Sequence, residues 1–267
     1  MRKLILILAA ALIVAVPAYA QRGHERPSRP VPVKTSPPPV TPPVPPPVVS
    51  SSPLLLVPAY FEPDEGWAGM CGEMPVGSTA IVNPDNGPTA VKLAAYAEAI
   101  TSCQAQGQRI IGYVYTEYGE RSLSTVEAQI SDYYAWYPSI NGVFLDEMAD
   151  TPDTAYYAAL ESFIHAKGGT VVGNPGDTAS TDWQLGVVDQ VVAFEGTAAS
   201  FAHYTPAPWM LAATPSQIAI IVYSASSSTA CSTAAVDNAG SVYFTNLGEP
   251  NPYGALPSFW TSLTSAC

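Results

Sequence analysis

The chain has 267 residues, 22 acidic against 10 basic side chains, and a formal net charge of −12. From Pro53 onward the imbalance sharpens to 21 acids against four bases, Lys92, Arg109, Arg121 and Lys167. Nucleic acids and anionic membranes require basic patches, so both are excluded as partners, and a neutral or cationic substrate is favoured.

The chain opens with Arg2 and Lys3, an apolar run, and the small-x-small pattern Ala18, Tyr19, Ala20. This predicts a secretory signal peptide over 1–20 rather than a stable membrane anchor, because the run is short for a bilayer span. Residues 21–52 are dense in proline and lack apolar periodicity, which predicts an extended polyproline spacer. Residues 53–267 have the composition of one globular domain, of about 215 residues, large enough for a single core. The expected location is outside the cytoplasm, secreted or periplasmic, and the expected state is a monomer. In such a compartment the four cysteines predict disulfides, with Cys71 to Cys103 and Cys231 to Cys267 favoured by proximity in the chain.

Apolar runs predict strands at LLLVPAY (54–60), TAIVNP (79–84), RIIGYVYT (109–116) and INGVFLDE (140–147). Four more follow at TVVGNPG (170–176), DQVVAFEG (189–196), QIAIIVYSA (217–225) and SVYFTN (241–246). Between them, apolar spacings of three and four predict helices over 89–106 and 151–167. In the latter, Thr151 is the expected N-cap and Gly168 the stop. Continuous apolar strands covered by helices are the mark of a parallel sheet. Eight strand and helix units in this length predict a compact (β/α)8 TIM-type barrel with a short first helix, a doubly wound open sheet being the alternative.

Barrel enzymes place their chemistry at the C-terminal ends of the strands. Those positions hold Tyr60, Glu62, Asn83, Tyr113, Tyr115, Glu117, Asp146, Glu147, Asn174, Glu195, Tyr223, Thr245 and Asn246. Apart from Cys71 in a nearby loop, the set contains neither imidazole nor thiol. Serine-triad, thiol and zinc hydrolysis therefore lack their key groups, and no cofactor motif occurs. What remains is carboxylate chemistry, and a facing acid and carboxylate are the minimum for cleaving a glycosidic bond. Asp146, Glu147 and Glu195 are the candidate catalytic residues. Tyr60, Asn83, Tyr113, Tyr115, Asn174, Tyr223 and Asn246 are candidates for holding a sugar, with Trp67, Trp183 and Trp209 as further stacking candidates. A helix-start role for Asp146 and Glu147 fits poorly, since Asp150 or Thr151 is better placed to cap the following helix.

The ordered segments LLVPAYFEP, IVNPDNGP, IIGYVYTEYG, INGVFLDE, VVGNPG and VVAFEG resemble the spherulin-4 group, or spherulation-specific family 4, which includes glycoside hydrolase family 135. The resemblance implies a (β/α)8 barrel and endo-hydrolysis of α-1,4-linked galactosamine or N-acetylgalactosamine polysaccharide, as found in biofilm and cell-wall material. The family's essential acids, a strand-end Asp-Glu pair and a later Glu, fall on Asp146, Glu147 and Glu195. A non-catalytic carbohydrate-binding or structural surface protein on the same barrel is the competing reading.

Overall fold

A computed structural model describes residues 52–227 and 237–267. The expected signal peptide, the expected spacer apart from Ser52, and Cys231 lie outside the described residues.

Eight parallel strands close into a barrel in sequence order. They are β1 (Leu54–Ala59), β2 (Thr79–Val82), β3 (Arg109–Tyr115), β4 (Gly142–Asp146), β5 (Thr170–Gly173), β6 (Gln190–Thr197), β7 (Ile218–Tyr223) and β8 (Ser241–Phe244). Closure comes from β8 pairing with β1, where Leu54 lies opposite Ser241 and Leu55 opposite Val242. The open-sheet alternative is thereby excluded. Buried valine, isoleucine and leucine dominate the strands, and β-branched side chains suit a sheet covered on both faces.

The longer helices are α1 (Trp67–Glu73), α2 (Ala94–Ala105), α3 (Leu123–Trp136) and α4 (Thr154–His165). The sixth connection carries the short α5 (Ala198–Phe201) and α6 (Pro208–Ala212) and a 3-10 turn at Pro215–Gln217, and α7 (Trp260–Ala266) follows β8. Two expectations are corrected, one about a helix start and one about a tryptophan. The helix after β4 starts at Thr154 rather than Thr151, because the side chain of Asp153, not Thr151, accepts the backbone N–H of Tyr156. Trp67, expected as a stacking candidate for sugar, instead opens α1 in the core, 1% exposed, with its indole N–H donating to the Phe61 carbonyl.

The Cys71–Cys103 disulfide joins α1 to α2 across 32 positions of sequence, which pins the short first helix to its neighbour. Among the described residues, no helix is long and apolar enough to cross a membrane.

Candidate active site

Side chains alternate along a strand, so Phe144 and Asp146 of β4 share one face. Tyr113 on β3 shares it too, because its ring stacks on Phe144 at 6.2 Å and its hydroxyl donates to Asp146 Oδ2 at 2.7 Å. Two strands further round, the β6 register against β7 slips between Val192 and Phe194. Bulges of this kind re-aim side chains beside sites. Downstream of it, Phe194 packs outward on Phe201 and Tyr204, while Glu195 turns to the mouth.

The residue that unites them is Asn174, just beyond the end of β5 and 3% exposed. Its Nδ2 donates to Asp146 Oδ1 at 2.8 Å and to Glu195 Oε2 at 2.6 Å. The Gly176 backbone N–H donates to its Oδ1 at 3.1 Å, which fixes the amide with its nitrogen toward the acids. Those two carboxylate oxygens are therefore separated by no more than the sum of the two donor distances, 5.4 Å. The second oxygen of Glu195 accepts from the hydroxyl of Tyr253. Tyr60 fills the floor between the two phenols, edge-on to both Tyr113 and Tyr253 at 5.5 Å.

The electrostatics separate the two acids. Burial raises both carboxyl groups above their ordinary range. Around Asp146 every other influence lowers the pKa again: Tyr113, the Glu147 backbone N–H and Asn174. Around Glu195 the bonds from Tyr253 and Asn174 are opposed by the charges of Asp146 and Glu249. Both carboxyls are thus biased toward the neutral form, and Glu195 faces the additional negative charges of Asp146 and Glu249.

Glu147 stands apart from that pair. The strand ends at Asp146 and the chain turns at Glu147, whose φ is +51°. Its carboxyl is raised by burial and by Asp146 and Glu117, and pulled back by Arg121 and the Glu117 backbone N–H. The turn is fastened from behind. Thr116 Oγ1 donates to the Glu147 carbonyl at 2.6 Å and lies 2.9 Å from the Tyr157 hydroxyl, which accepts from the Ala149 N–H at 2.9 Å.

The other sequence-derived positions have identifiable surroundings. Asn83 Oδ1 accepts the Gly87 N–H at 2.8 Å and closes its own loop, and Asn246 Oδ1 accepts the Ser258 N–H at 2.6 Å and braces the loop after β8. Tyr115 lies under the Arg121 guanidinium, 4.0 Å from the ring centre. Tyr223 sits at the rim beside Glu249, with its phenol pushed up by burial and by Glu249 and Glu195. Trp183 packs on Tyr157 at 5.7 Å. Tyr253 is the residue missed in the sequence. It lies in the long connection after β8, in the run GEPNPYG, whose prolines and glycines signal only a loop.

A closed parallel barrel with two carboxyls joined through one amide at its C-terminal mouth is a glycosidase-like barrel, resembling glycoside hydrolase family 135. The profile of spherulation-specific family 4 matches residues 54–267, and the chain belongs to that family. Spherulin-4 of Physarum polycephalum is 34% identical over 147 residues, covering 53% of this chain but only 44% of that protein. The crystal structure of Aspergillus clavatus Sph3 in complex with GalNAc superposes with a TM-score of 0.70 at 25% identity, covering 80% of this chain and 97% of Sph3.

Proposed function

We propose that this domain is a retaining, endo-acting glycoside hydrolase that cleaves α-1,4-linked galactosamine or N-acetylgalactosamine polysaccharide outside the cell. The observation that carries the reading is the Asn174 amide shared by Asp146 and Glu195. The bonded oxygens lie no more than 5.4 Å apart, and carboxyls held that close leave no room for a water between the second carboxylate and the sugar, so that carboxylate attacks the sugar itself.

In this mechanism Glu195 gives its proton to the glycosidic oxygen while Asp146 attacks the anomeric carbon. The C–O bond to the leaving chain breaks and a glycosyl ester forms on Asp146. Water then attacks the same carbon, Glu195 takes its proton back, and Asp146 leaves as carboxylate. Tyr253 suits the switching role of Glu195, because a hydroxyl can donate to the ionised form and accept from the neutral one. Asp146 keeps donors on both oxygens, as a group that is anionic at the start of each turnover requires. Glu147 shapes the field around Asp146 from the adjoining turn.

The similarity to Sph3, solved with GalNAc, supports an amino-sugar substrate. A leader over 1–20 and a proline-rich spacer over 21–52 would export the barrel and hold it away from a surface. The test is proton NMR of the first product released from such a polymer. Retention gives the α anomer first, and the β anomer would refute the double displacement.

A further inference from the structure

We propose that Tyr118 is the platform on which a sugar ring of the bound glycan stacks, beside the unit being cleaved. This rests on the glycan-cleaving reading above and adds a binding residue to it.

Tyr118 is large and aromatic, yet 54% exposed. It follows Glu117 in a turn where both residues are left-handed, with φ of 51° and 55°, ahead of Gly119 at 89°. Two consecutive non-glycine residues adopt that conformation only where the surroundings hold them there. Here the Tyr118 N–H donates to the Glu147 carbonyl at 2.7 Å, the Gly119 N–H donates to the Thr116 carbonyl at 3.1 Å, and Thr116 also bonds the Glu147 carbonyl. The turn that carries Tyr118 is thus fastened to the turn that follows Asp146, and the Tyr118 backbone keeps a fixed position relative to the reacting group.

The bond to the Glu147 carbonyl places Tyr118 at the mouth, where partial burial and the charges of Glu147, Asp146, Asp150 and Asp177 raise its phenol. The aromatic floor has less to offer. Tyr60 packs edge-on to Tyr113 and Tyr253, and the hydroxyls of those two are spent on the acids. Arg121, the nearby cation, lies over Tyr115. Tyr118 therefore presents aromatic area at the mouth, and the C–H face of a pyranose is the natural ligand for an aromatic face.

The test compares the full chain with Tyr118→Gly, Tyr118→Phe and Tyr118→Trp on an α-1,4 galactosamine and N-acetylgalactosamine polymer. Glycine suits the left-handed backbone and keeps the turn folded, which melting curves verify. A lost stacking contact raises KM about 10-fold in Tyr118→Gly with kcat held within about twofold, while Phe and Trp stay near the wild-type KM. An unchanged KM in Tyr118→Gly overturns the proposal, and so does a KM rise in Tyr118→Phe equal to that of Tyr118→Gly. Binding of the same polymer to the Glu195→Gln chain, with and without Tyr118→Gly, separates the two readings. If the wild type cleaves nothing but the polymer binds and the glycine variant weakens binding, the catalytic reading fails and the platform stands. No binding at all overturns the platform as well.

Discussion

Replacing Asn174 by alanine removes both donors that the paired acids share, at 2.8 and 2.6 Å, together with the acceptor for Gly176. The bond to ionised Asp146 is worth about 1.5–3 kcal/mol and the bond to neutral Glu195 about 0.5–1.5 kcal/mol. Together they predict a loss of roughly 2–4.5 kcal/mol, or about 30- to 2,000-fold in kcat/KM. The direction of the pH effect follows from the same bonds. Each lowers the pKa of its acid, so without them both carboxyls rise further and the whole activity profile moves to higher pH. The backbone N–H and carbonyl of Asn174 bond Leu145 and Met148 and remain in place, so the β5 end keeps its path. The assay is the initial rate of reducing-end release from acidic to neutral pH, with circular dichroism to confirm folding. A folded Asn174→Ala protein with the wild-type rate and profile would refute the shared-amide account.

Other consequences can be measured independently. A carboxyl raised by the fold favours the folded state while neutral, below its unfolded pKa, and that contribution is lost as pH rises through the folded value. Asp146→Asn and Glu195→Gln therefore melt above the wild type at neutral pH, the difference vanishing below about pH 4 where the acids are protonated in both states. Tyr253→Phe removes a bond that lowers the pKa of Glu195, so the alkaline limb of the rate profile shifts upward and kcat falls. Replacing both Cys71 and Cys103 by alanine opens a 32-residue separation and costs about 3–4 kcal/mol in denaturant unfolding. Gly112→Ala puts a methyl 2.7 Å from the fully buried Tyr133 ring, costing about 1–3 kcal/mol while leaving the site's groups unchanged.

The strands were legible because each is a short run of buried apolar residues between turn signals, and their number and alternation with helices point to a barrel. Asp146 and Glu195 were legible because each is an acid at the end of such a run, where the fold gathers its chemistry. That Asp146 pairs with Glu195 while Glu147 stands apart turns on one backbone angle, the +51° of Glu147, which a sequence does not display. Asn174 was visible as a strand-end amide, but its two-sided bonding depends on how β4, β5 and β6 converge. Tyr253 was hidden because a long proline-rich connection has no periodicity to say where it returns. The start of α4 was misplaced because several polar residues in 150–153 could cap it, and it is Asp153 whose side chain accepts the Tyr156 N–H.

The most direct test of the central claim is reducing-end release from purified α-1,4 galactosamine and N-acetylgalactosamine polymer by the wild type, Asp146→Asn and Glu195→Gln, each shown to be folded. The account predicts internal cleavage by the wild type and a loss of about 1,000-fold or more in either variant. Full cleavage by either amide variant, or none by the folded wild type on any galactosamine polymer, would contradict it.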